Sequence, residues 1–365
     1  MKTQDTFCPD LFSVAESMDF GDFHIKVDQR TQLRAVVAIH DTTLGPALGG
    51  CRFVNYDSFN HAVMDAMRLA QGMSYKAALA NLQYGGGKAV IVRPHGEYDR
   101  HRLFNAFGEF VHQLKGRYIT AVDSGTSVDD MAYVAEKTKF VASTPLASGG
   151  SGDPSPYTAL GVVRGIEAAM HYAHDHHDLG GVRVAVQGVG HVGYYVAKYL
   201  FERGARIVAC DNKAKNTQRV QEEFGAEIVP PDAIYDADCE IFSPCALGGI
   251  INEKTVERLH AKIIVGAANN QLSSLDVGKA LVLKDIVYAP DYIVNAGGLI
   301  HVALKDEDKV LEKVNAIYET LTNVFQLSWE TGETTAEAAD EIAKSIIEGK
   351  RTHPRGSKSV KELTF

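Results

Sequence analysis

The hexapeptide Gly188-Val189-Gly190-His191-Val192-Gly193 limits the possible folds of this chain more than any other segment. It stands where an apolar strand over 182–187 turns into an amphipathic helix over 191–203. A second strand, over 205–210, follows that helix. A strand, a glycine turn, a helix and a strand in this order predict a βαβ unit within a parallel sheet.

The spacing of the three glycines also predicts what the turn binds. In such a turn the first glycine permits a tight bend, the second lets a pyrophosphate approach the backbone, and the third lets the helix pack closely. The anion then lies on the helix N-terminus, where free N–H groups favour it. A glycine turn without any ligand is the alternative. We interpret His191 as a helix-start residue that faces the cofactor, not as a base.

Asp211 indicates which dinucleotide is bound. It lies 18 residues after Gly193, near the position of the acid that binds the ribose hydroxyls in such units. A carboxylate at that position repels a 2′-phosphate, so the sequence favours NAD over NADP, although Lys213 lies nearby.

Length and periodicity predict a two-domain α/β protein of 365 residues. We assign residues 1–145 to the first domain and 146–330 to a Rossmann domain, and a helical segment follows over 331–365. Further strands are predicted over 33–40, 89–92, 239–243, 262–266 and 286–289, and helices over 59–80, 103–114 and beyond 305.

Composition excludes several functions. A net charge of −9 disfavours nucleic-acid binding, and there is no apolar run of the length that a membrane span needs. Acidic residues in the first 20 positions disfavour a signal peptide. The five cysteines have no CxxC spacing, which favours reduced thiols in the cytoplasm over disulfides or a metal site.

Two lysines in the first third are candidates for chemistry. Lys76 ends Met73-Ser74-Tyr75-Lys76, and Lys88 directly follows three glycines. Solvated surface lysines are the alternative interpretation. Glycines would let a substrate approach the backbone, and two nearby ammonium groups disfavour one another's charge, so one could hold a carboxylate while the other acts as a base. Asp123 follows the strand-like run 118–122 and is either a functional carboxylate or a turn-former.

Several motifs in order resemble the Glu/Leu/Phe/Val dehydrogenase family over roughly residues 20–360. They are Gly45-Pro46-Ala47-Leu48-Gly49-Gly50-Cys51-Arg52, Met73-Ser74-Tyr75-Lys76, Gly85-Gly86-Gly87-Lys88, Asp123 in its turn, and Asn295-Ala296-Gly297-Gly298. Within the family they are most similar to the leucine dehydrogenases. Val122 and Ser124 depart from the Glu and Val that usually flank the acid there, and the loop after Val302 is shorter.

This resemblance implies that residues 1–145 form a substrate-binding, catalytic and oligomerisation domain, that a deep cleft separates it from the Rossmann domain, and that 331–365 packs back toward the first domain. It also implies a role for each matching residue. Lys76 would bind the substrate α-carboxylate, Lys88 would be the catalytic lysine, and Asp123 would exchange protons with the substrate nitrogen. Gly49 and Gly50 would flank the substrate, and Asn295 would lie near it or near the nicotinamide. Leu48, Ala121, Leu299 and Val302 match the side-chain pocket. Besides the glycine turn and Asp211, the cofactor residues would be Thr158, Ala246, Asn269 and Asn270.

The implied reaction is reversible, NAD-dependent oxidative deamination of an L-amino acid to a 2-oxo acid and ammonia. The pocket positions are all apolar, which disfavours glutamate because its γ-carboxylate would be buried without a cation. Leu299 replaces a frequent valine of the leucine enzymes. We expect leucine or another branched-chain substrate, with phenylalanine, tryptophan and valine as alternatives. A homo-oligomer is implied, and an octamer if the chain follows the leucine enzymes.

Two other functions compete with this one. A non-catalytic NAD-binding sensor is disfavoured because Lys76, Lys88 and Asp123 are all present. A hydroxy-acid dehydrogenase needs a His or similar acid–base group paired with an Arg, and the sequence around the glycine turn arranges no such pair.

Overall fold

The computed structural model describes residues 11–144 and 152–352, which form two compact units. The first unit contains the chain up to Gly152 and from Ala343 onward, and the second is Asp153–Ile342. The expected two-domain α/β class is confirmed. Cys8 and residues 145–151, at the predicted domain boundary, lie outside the described residues. The predicted cleft and the packing of 331–365 toward the first domain stay predictions.

A five-stranded mixed sheet lies at the centre of the first unit. Its strands are β1 (Asp22–Asp28), β2 (Leu33–Asp41), β3 (Ala47–Val54), β4 (Gly85–Val92) and β5 (Tyr118–Val122). The helices are α1 (Leu11–Ser17), α2 (Phe59–Leu79), α3 (Arg100–Gln113) and α4 (Val128–Ala135). The order is β1-β2-β4-β3-β5, in which β3 runs parallel to both β4 and β5 and β2 runs antiparallel to β1 and β4. The carboxyl ends of β3, β4 and β5 therefore point the same way.

Helix α2 covers one face of this sheet at unusually short range. Its buried stripe is rich in alanine and packs against Val36, Ala38 and Val90. A Cβ placed on Gly86 would lie 2.1 Å from the backbone nitrogen of Ser74 in α2. We predicted that the strand follows the triple glycine, but β4 begins at Gly85. Glycine is accepted in this strand because the neighbouring helix leaves no room for a side chain.

The second unit contains a six-stranded parallel sheet. Its strands are β6 (Arg183–Gln187), β7 (Arg206–Cys210), β8 (Glu227–Ile228), β9 (Ile241–Pro244), β10 (Ile263–Ile264) and β11 (Val287–Tyr288). The five predicted strands are confirmed, and β8, with only two residues, was missed because it is too short to show a period. The order β11-β10-β9-β6-β7-β8 places β6 where the winding direction reverses, the usual ligand crevice of such sheets.

Helices surround the parallel sheet, as the alternating pattern predicted. They are α5 (Ser155–His174), α6 (His191–Glu202), α7 (Ala214–Phe224), α8 (Glu253–Val256), α9 (Leu275–Leu283), α10 (Asp291–Val294), α11 (Gly297–Ala303), α12 (Glu307–Asn315) and α13 (Ile317–Thr331), with a 3₁₀ turn at Ala233–Asp236. A last helix, α14 (Thr335–Thr352), begins in the second unit, and its residues from Ala343 onward belong to the first. Of the helices in residues 11–144 and 152–352, none combines the length and apolar character needed to cross a bilayer.

Alanine substitutions at one crowded glycine and at one uncrowded glycine test the tight packing of α2 on β4. We expect Gly86→Ala to destabilise the protein by about 3 kcal/mol, since the new Cβ would overlap the backbone of Ser74. Gly72, inside α2, has no described atom within 4 Å of the Cβ position. Gly72→Ala should instead stabilise the helix by about 0.5–1 kcal/mol. Thermal unfolding of both variants checks this, and a Gly86→Ala protein that melts like the parent would contradict it.

Candidate active site

An ion pair between Lys88 and Asp123 forms the centre of the site in the first unit. Lys88 lies on β4 and is 6% exposed, and its Nζ is 2.7 Å from Oδ2 of Asp123, the residue that follows β5. Strand β3 runs between the two, with Gly50 opposite Ala121. A Cβ on Gly50 would lie 2.7 Å from Cβ of Asp123. Glycine at position 50 therefore leaves the space in which the carboxylate reaches the lysine.

The turn that carries Asp123 is held to β3 by hydrogen bonds. The backbone N–H of Asp123 donates to Oγ1 of Thr126 (2.8 Å), and that hydroxyl lies 3.0 Å from the carbonyl oxygen of Cys51. The N–H of Phe53 donates to the carbonyl of Ser124 (2.9 Å). Val122 and Ser124, which depart from the family pattern, thus flank an acid whose main chain is held in place by these hydrogen bonds.

Opposing influences act on the carboxyl of Asp123. Burial raises its pKa. The charges of Lys88 and Arg52 and a hydrogen bond from the backbone of Ser124 lower the pKa by more than burial raises it, so the pKa of Asp123 lies below its ordinary value. Asp123 is therefore ionised at neutral pH and able to accept a proton.

Arg52 extends this ion pair into a longer network. Its Nε lies 3.4 Å from Oδ2 of Asp123, and its Nη1 donates to Oδ2 of Asp65 on α2 at 2.9 Å. The hydroxyl of Tyr56 donates to the same oxygen of Asp65. Sequence reasoning assigned no role to these three residues. One signal was available, because Asp65 stands 11 residues, about three helical turns, before Lys76 and so shares its flank of α2.

The remaining first-unit candidates divide between the two sides of the sheet. Strand pairing and alternation place Leu48, Gly50 and Ala121 on the face that carries Lys88 and Asp123. Gly49 points to the other face, where its carbonyl accepts a hydrogen bond from the hydroxyl of Tyr118 (2.6 Å).

Lys76 lies in the last turn of the covering helix. It follows Ser74 by two residues, and the backbone of Ser74 lies against Gly86, two residues before Lys88. The end of α2 and the start of β4 therefore bring both predicted lysines to the same side of the sheet.

In the second unit, the three glycines of the predicted turn differ in the way the pattern requires. Gly188 has a φ of +85°, and Gly193 packs so closely that a Cβ would lie 1.9 Å from the carbonyl oxygen of Gly188. At Gly190 no described atom beyond its own chain neighbours lies within 4 Å of the Cβ position. This open space stands at the start of α6, whose first N–H groups receive no bond from a capping side chain. The turn thus has room and donors for a pyrophosphate.

Asp211 lies at the end of β7 and is bonded to the same turn. One carboxylate oxygen accepts from the N–H of Val189 (3.0 Å), and the other accepts from the N–H of Lys213 (2.8 Å). Each oxygen retains a lone pair that could accept a ribose hydroxyl. His191 is exposed and Val192 half-buried in the first turn of α6.

The other predicted cofactor residues lie in small groups at loop ends. The amide nitrogen of Asn295 donates to Oδ1 of Asn269 at 2.9 Å. The N–H of Asn270 donates to Asp291 (2.8 Å), and the loop at Gly248 packs on the carbonyls of Asn269 and Asn270. The last two predicted cofactor residues each pack against a glycine. Ala246 lies against Gly188, and Oγ1 of Thr158 lies 2.7 Å from a Cβ placed on Gly298.

The two pocket candidates of the second unit are on α11. Leu299 and Val302 are three residues apart, so they share one side of this helix, and both are half-buried.

These features fit a nicotinamide dinucleotide, because an open glycine at an uncapped helix start stands beside a fixed carboxylate. Within the described parts of the chain, no cluster of three or more His, Cys, Asp or Glu side chains is arranged to hold a metal ion. The four cysteines there, Cys51, Cys210, Cys239 and Cys245, are free thiols.

Comparison with known proteins identifies the family. The Glu/Leu/Phe/Val dehydrogenase dimerisation domain matches residues 18–140, and the Glutamate/Leucine/Phenylalanine/Valine dehydrogenase domain matches 149–215 and 211–347. Leucine dehydrogenase of Thermoactinomyces intermedius is 46% identical over 93% of each chain. Phenylalanine dehydrogenase of Bacillus thermotolerans is 44% identical over 89% of this chain and 88% of its own.

Among solved structures, L-tryptophan dehydrogenase from Nostoc punctiforme superposes with a TM-score of 0.83 at 39% identity, covering 94% of this chain and all of the other (100%). The motifs, the fold and the sequence identity to these relatives all point to the same family. The chain belongs to the Glu/Leu/Phe/Val dehydrogenase family and is an amino-acid dehydrogenase.

Proposed function

We propose that this protein catalyses the reversible, NAD-dependent oxidative deamination of an apolar, preferably branched-chain, L-amino acid to its 2-oxo acid and ammonia. The observation that carries the proposal is the 2.7 Å contact between Lys88 and Asp123 on a sheet face that also carries apolar Leu48 and Ala121. A proton-transferring pair beside an apolar surface suits a substrate with a reactive amino group and a hydrocarbon side chain.

In the first unit, Lys76 pairs with the α-carboxylate of the substrate, and Gly50, with Gly49 beside it, lets the substrate approach the backbone. The substrate side chain contacts Leu48 and Ala121. In the second unit, the family resemblance assigns side-chain selection to Leu299 and Val302, and contact with the substrate or the nicotinamide to Asn295.

Proton transfer is assigned to Asp123 and Lys88. Asp123, already ionised, takes a proton from the substrate ammonium group, which leaves a neutral amine. A bound NAD would supply the acceptor for the hydride on Cα. Loss of that hydride lets the nitrogen lone pair complete a C=N bond. Once Asp123 is protonated, Lys88 has lost the charge of its partner and releases its proton to solvent. The neutral Lys88 then takes a proton from water as the water oxygen bonds to the imine carbon.

The last steps release ammonia and return both groups to their starting states. Asp123 gives its proton to the substrate nitrogen, and the C–N bond breaks as the C–O bond becomes double. The hydroxyl proton leaves with ammonia as ammonium, and Lys88 keeps the proton taken from water, which restores its ion pair with Asp123. The net products are the 2-oxo acid, ammonium, the reduced cofactor and one proton.

The preference for NAD rests on Asp211. Its carboxylate is bonded to the backbone of the glycine turn and of Lys213, so it cannot move aside without losing these bonds. A 2′-phosphate beside it would meet a negative charge, whereas ribose hydroxyls can donate to it. Thr158, Ala246, Asn269 and Asn270 complete the proposed cofactor site with residues 188–193.

Substrate preference is proposed from the apolar pocket and from the relatives. Leucine, phenylalanine and tryptophan dehydrogenases all resemble this chain, and no cation stands among the four pocket positions. Glutamate is therefore disfavoured, and the alternatives are phenylalanine, tryptophan and valine. We also propose a homo-oligomer, since the first unit matches the family's dimerisation domain, and an octamer if the chain assembles as the leucine enzymes do.

Removal of the catalytic lysine tests the mechanism. We expect Lys88→Ala to lower kcat for leucine oxidation by about 10²–10⁴-fold, because the water-activating base is lost. NADH formation at alkaline pH measures it. Lys137, an exposed lysine of the same unit paired with Glu109, supplies the control, and Lys137→Ala should keep full activity. Full turnover by Lys88→Ala would refute the mechanism, and no activity of the parent with any L-amino acid would refute the function.

Exchange of the carboxylate at position 211 tests cofactor selection. We expect Asp211→Asn to lower the preference for NAD, measured as kcat/KM with NAD divided by kcat/KM with NADP, by about tenfold or more. The charge that repels the 2′-phosphate of NADP is gone, whereas the amide oxygen can still accept a hydrogen bond. Steady-state kinetics with both cofactors give the ratio. Equal use of NAD and NADP by the parent enzyme would contradict the assigned role.

Enlarging the pocket tests side-chain selection. We expect Leu299→Ala to shift kcat/KM from leucine toward phenylalanine by about 10- to 200-fold, because removed methylenes leave room for a ring. A panel of L-amino acids measures the shift. Leu283 is 87% exposed in the same unit, and Leu283→Ala should leave the ranking unchanged. An unchanged ranking for Leu299→Ala would remove this residue from the pocket.

A further inference from the structure

The guanidinium of Arg52 stands between two carboxylates that lie on different elements. On one side it faces Asp123, and on the other it is bonded to Asp65 of α2. Its own strand, β3, lies between the strands that carry Lys88 and Asp123. Neither the proposed substrate contacts nor the proton-transfer steps use Arg52, Asp65 or Tyr56.

We propose that Arg52 is a positioning residue that holds Asp123 toward Lys88, and that Asp65, itself held by Tyr56, governs how strongly Arg52 does so. This inference rests on the proposed function, because it assigns a task to the proton-transferring pair.

Geometry supports the positioning role. A guanidinium is a rigid planar fork, and a fork with donors engaged on both sides loses its freedom to rotate. Oδ2 of Asp123 then faces two donors, Nε of Arg52 and Nζ of Lys88, which define the direction of the carboxylate. Proton transfer requires donor and acceptor within hydrogen-bond reach, so fixing this direction maintains the contact through each catalytic cycle.

The carboxylate of Asp65 modulates the effect of Arg52 on Asp123. Asp65 neutralises part of the charge that Arg52 presents to Asp123. Burial and the bond to Asp65 raise the pKa of Tyr56, so its hydroxyl remains a neutral donor. Because Tyr56 and Arg52 share one oxygen of Asp65, each contact orients the same carboxylate.

Within the described residues, four elements at or beside the pair carry charged or titratable groups. Lys88 comes from β4 and Arg52 from β3, Lys76 and Asp65 lie on the covering helix, and β2, which pairs with β4, ends in His40 and Asp41. On the opposite face, burial raises the pKa of Cys51 and of Tyr118, so both remain neutral. The positive charge of Arg52 lowers the pKa of Asp123. The negative charge of Asp65, which is bonded to Arg52, opposes that effect.

Two variants with opposite charge changes separate this role from structural damage. We expect Arg52→Gln to lower kcat about 10- to 100-fold with little change in KM, because the pair loses its alignment. The acid limb of its kcat/KM profile should move to higher pH by about one unit, since a positive charge is lost. Asp65→Asn should move the limb to lower pH, by about half a unit, since a negative charge is lost.

A conservative variant separates charge from geometry. Arg52→Lys keeps the positive charge but loses the planar fork that reaches both carboxylates. Its acid limb should stay near that of the parent while kcat falls about tenfold. If Arg52→Lys retains full kcat, charge alone suffices and the positioning role is wrong.

Arg203 supplies the matched control, because it pairs with the buried Glu167 in the second unit at 2.8 Å. Arg203→Gln should lower the melting temperature and leave the pH profile in place. If Arg52→Gln and Asp65→Asn both keep the parental profile, or shift it in the same direction, the inference is overturned. The proposed function fails separately, by an inactive parent or a fully active Lys88→Ala.

Discussion

The contact between Lys88 and Asp123 depends on how closely backbone segments approach one another in the first unit. Gly50 leaves the space that the side chain of Asp123 occupies, and Gly86 lets α2 rest directly on β4. Any Cβ at these two positions would overlap a neighbouring atom at less than 3 Å. Close packing of this kind transmits a change of one methyl group to its neighbours. The ion pair is therefore a consequence of backbone approach as much as of the two charged side chains.

Alternating charges make this buried arrangement tolerable. From Tyr56 through Asp65, Arg52 and Asp123 to Lys88, each ionised group has an opposite charge beside it. An isolated ion with so little exposure would be strongly disfavoured, whereas a paired and hydrogen-bonded one is not. The pairing also leaves Asp123 ionised in spite of its burial, which is the state that a proton acceptor needs.

In the second unit, too, the proposed functional groups are bonded directly to one another. Asp211 is bonded to the backbone of Val189, so the group proposed to select the ribose is attached to the turn proposed to bind the pyrophosphate. Gly193 connects that turn to α6 through its contact with Gly188. Since β6 lies where the sheet reverses direction, these parts meet at the strand ends where such sheets offer a crevice.

The parts of the fold and of the site that depend on local sequence pattern could be predicted from the sequence. The glycine turn, its flanking strand and helix, and the acid that follows β7 are determined by neighbours within about 30 residues, and they were predicted as the structure has them. Lys76, Lys88 and Asp123 were found as motifs. The short strand β8 and the extension of β4 through its glycines could not be predicted, since pairing partners far along the chain decide both.

Only the tertiary structure decided which of these residues meet. Arg52 lies 71 residues from Asp123 and 13 from Asp65, and strand order together with the covering helix brings the three together. The sequence by itself determined the kinds of groups available and the elements that carry them. It did not determine that Arg52 would contact both carboxylates, because that contact is set by sheet register and by the distance at which α2 packs, and both are long-range properties.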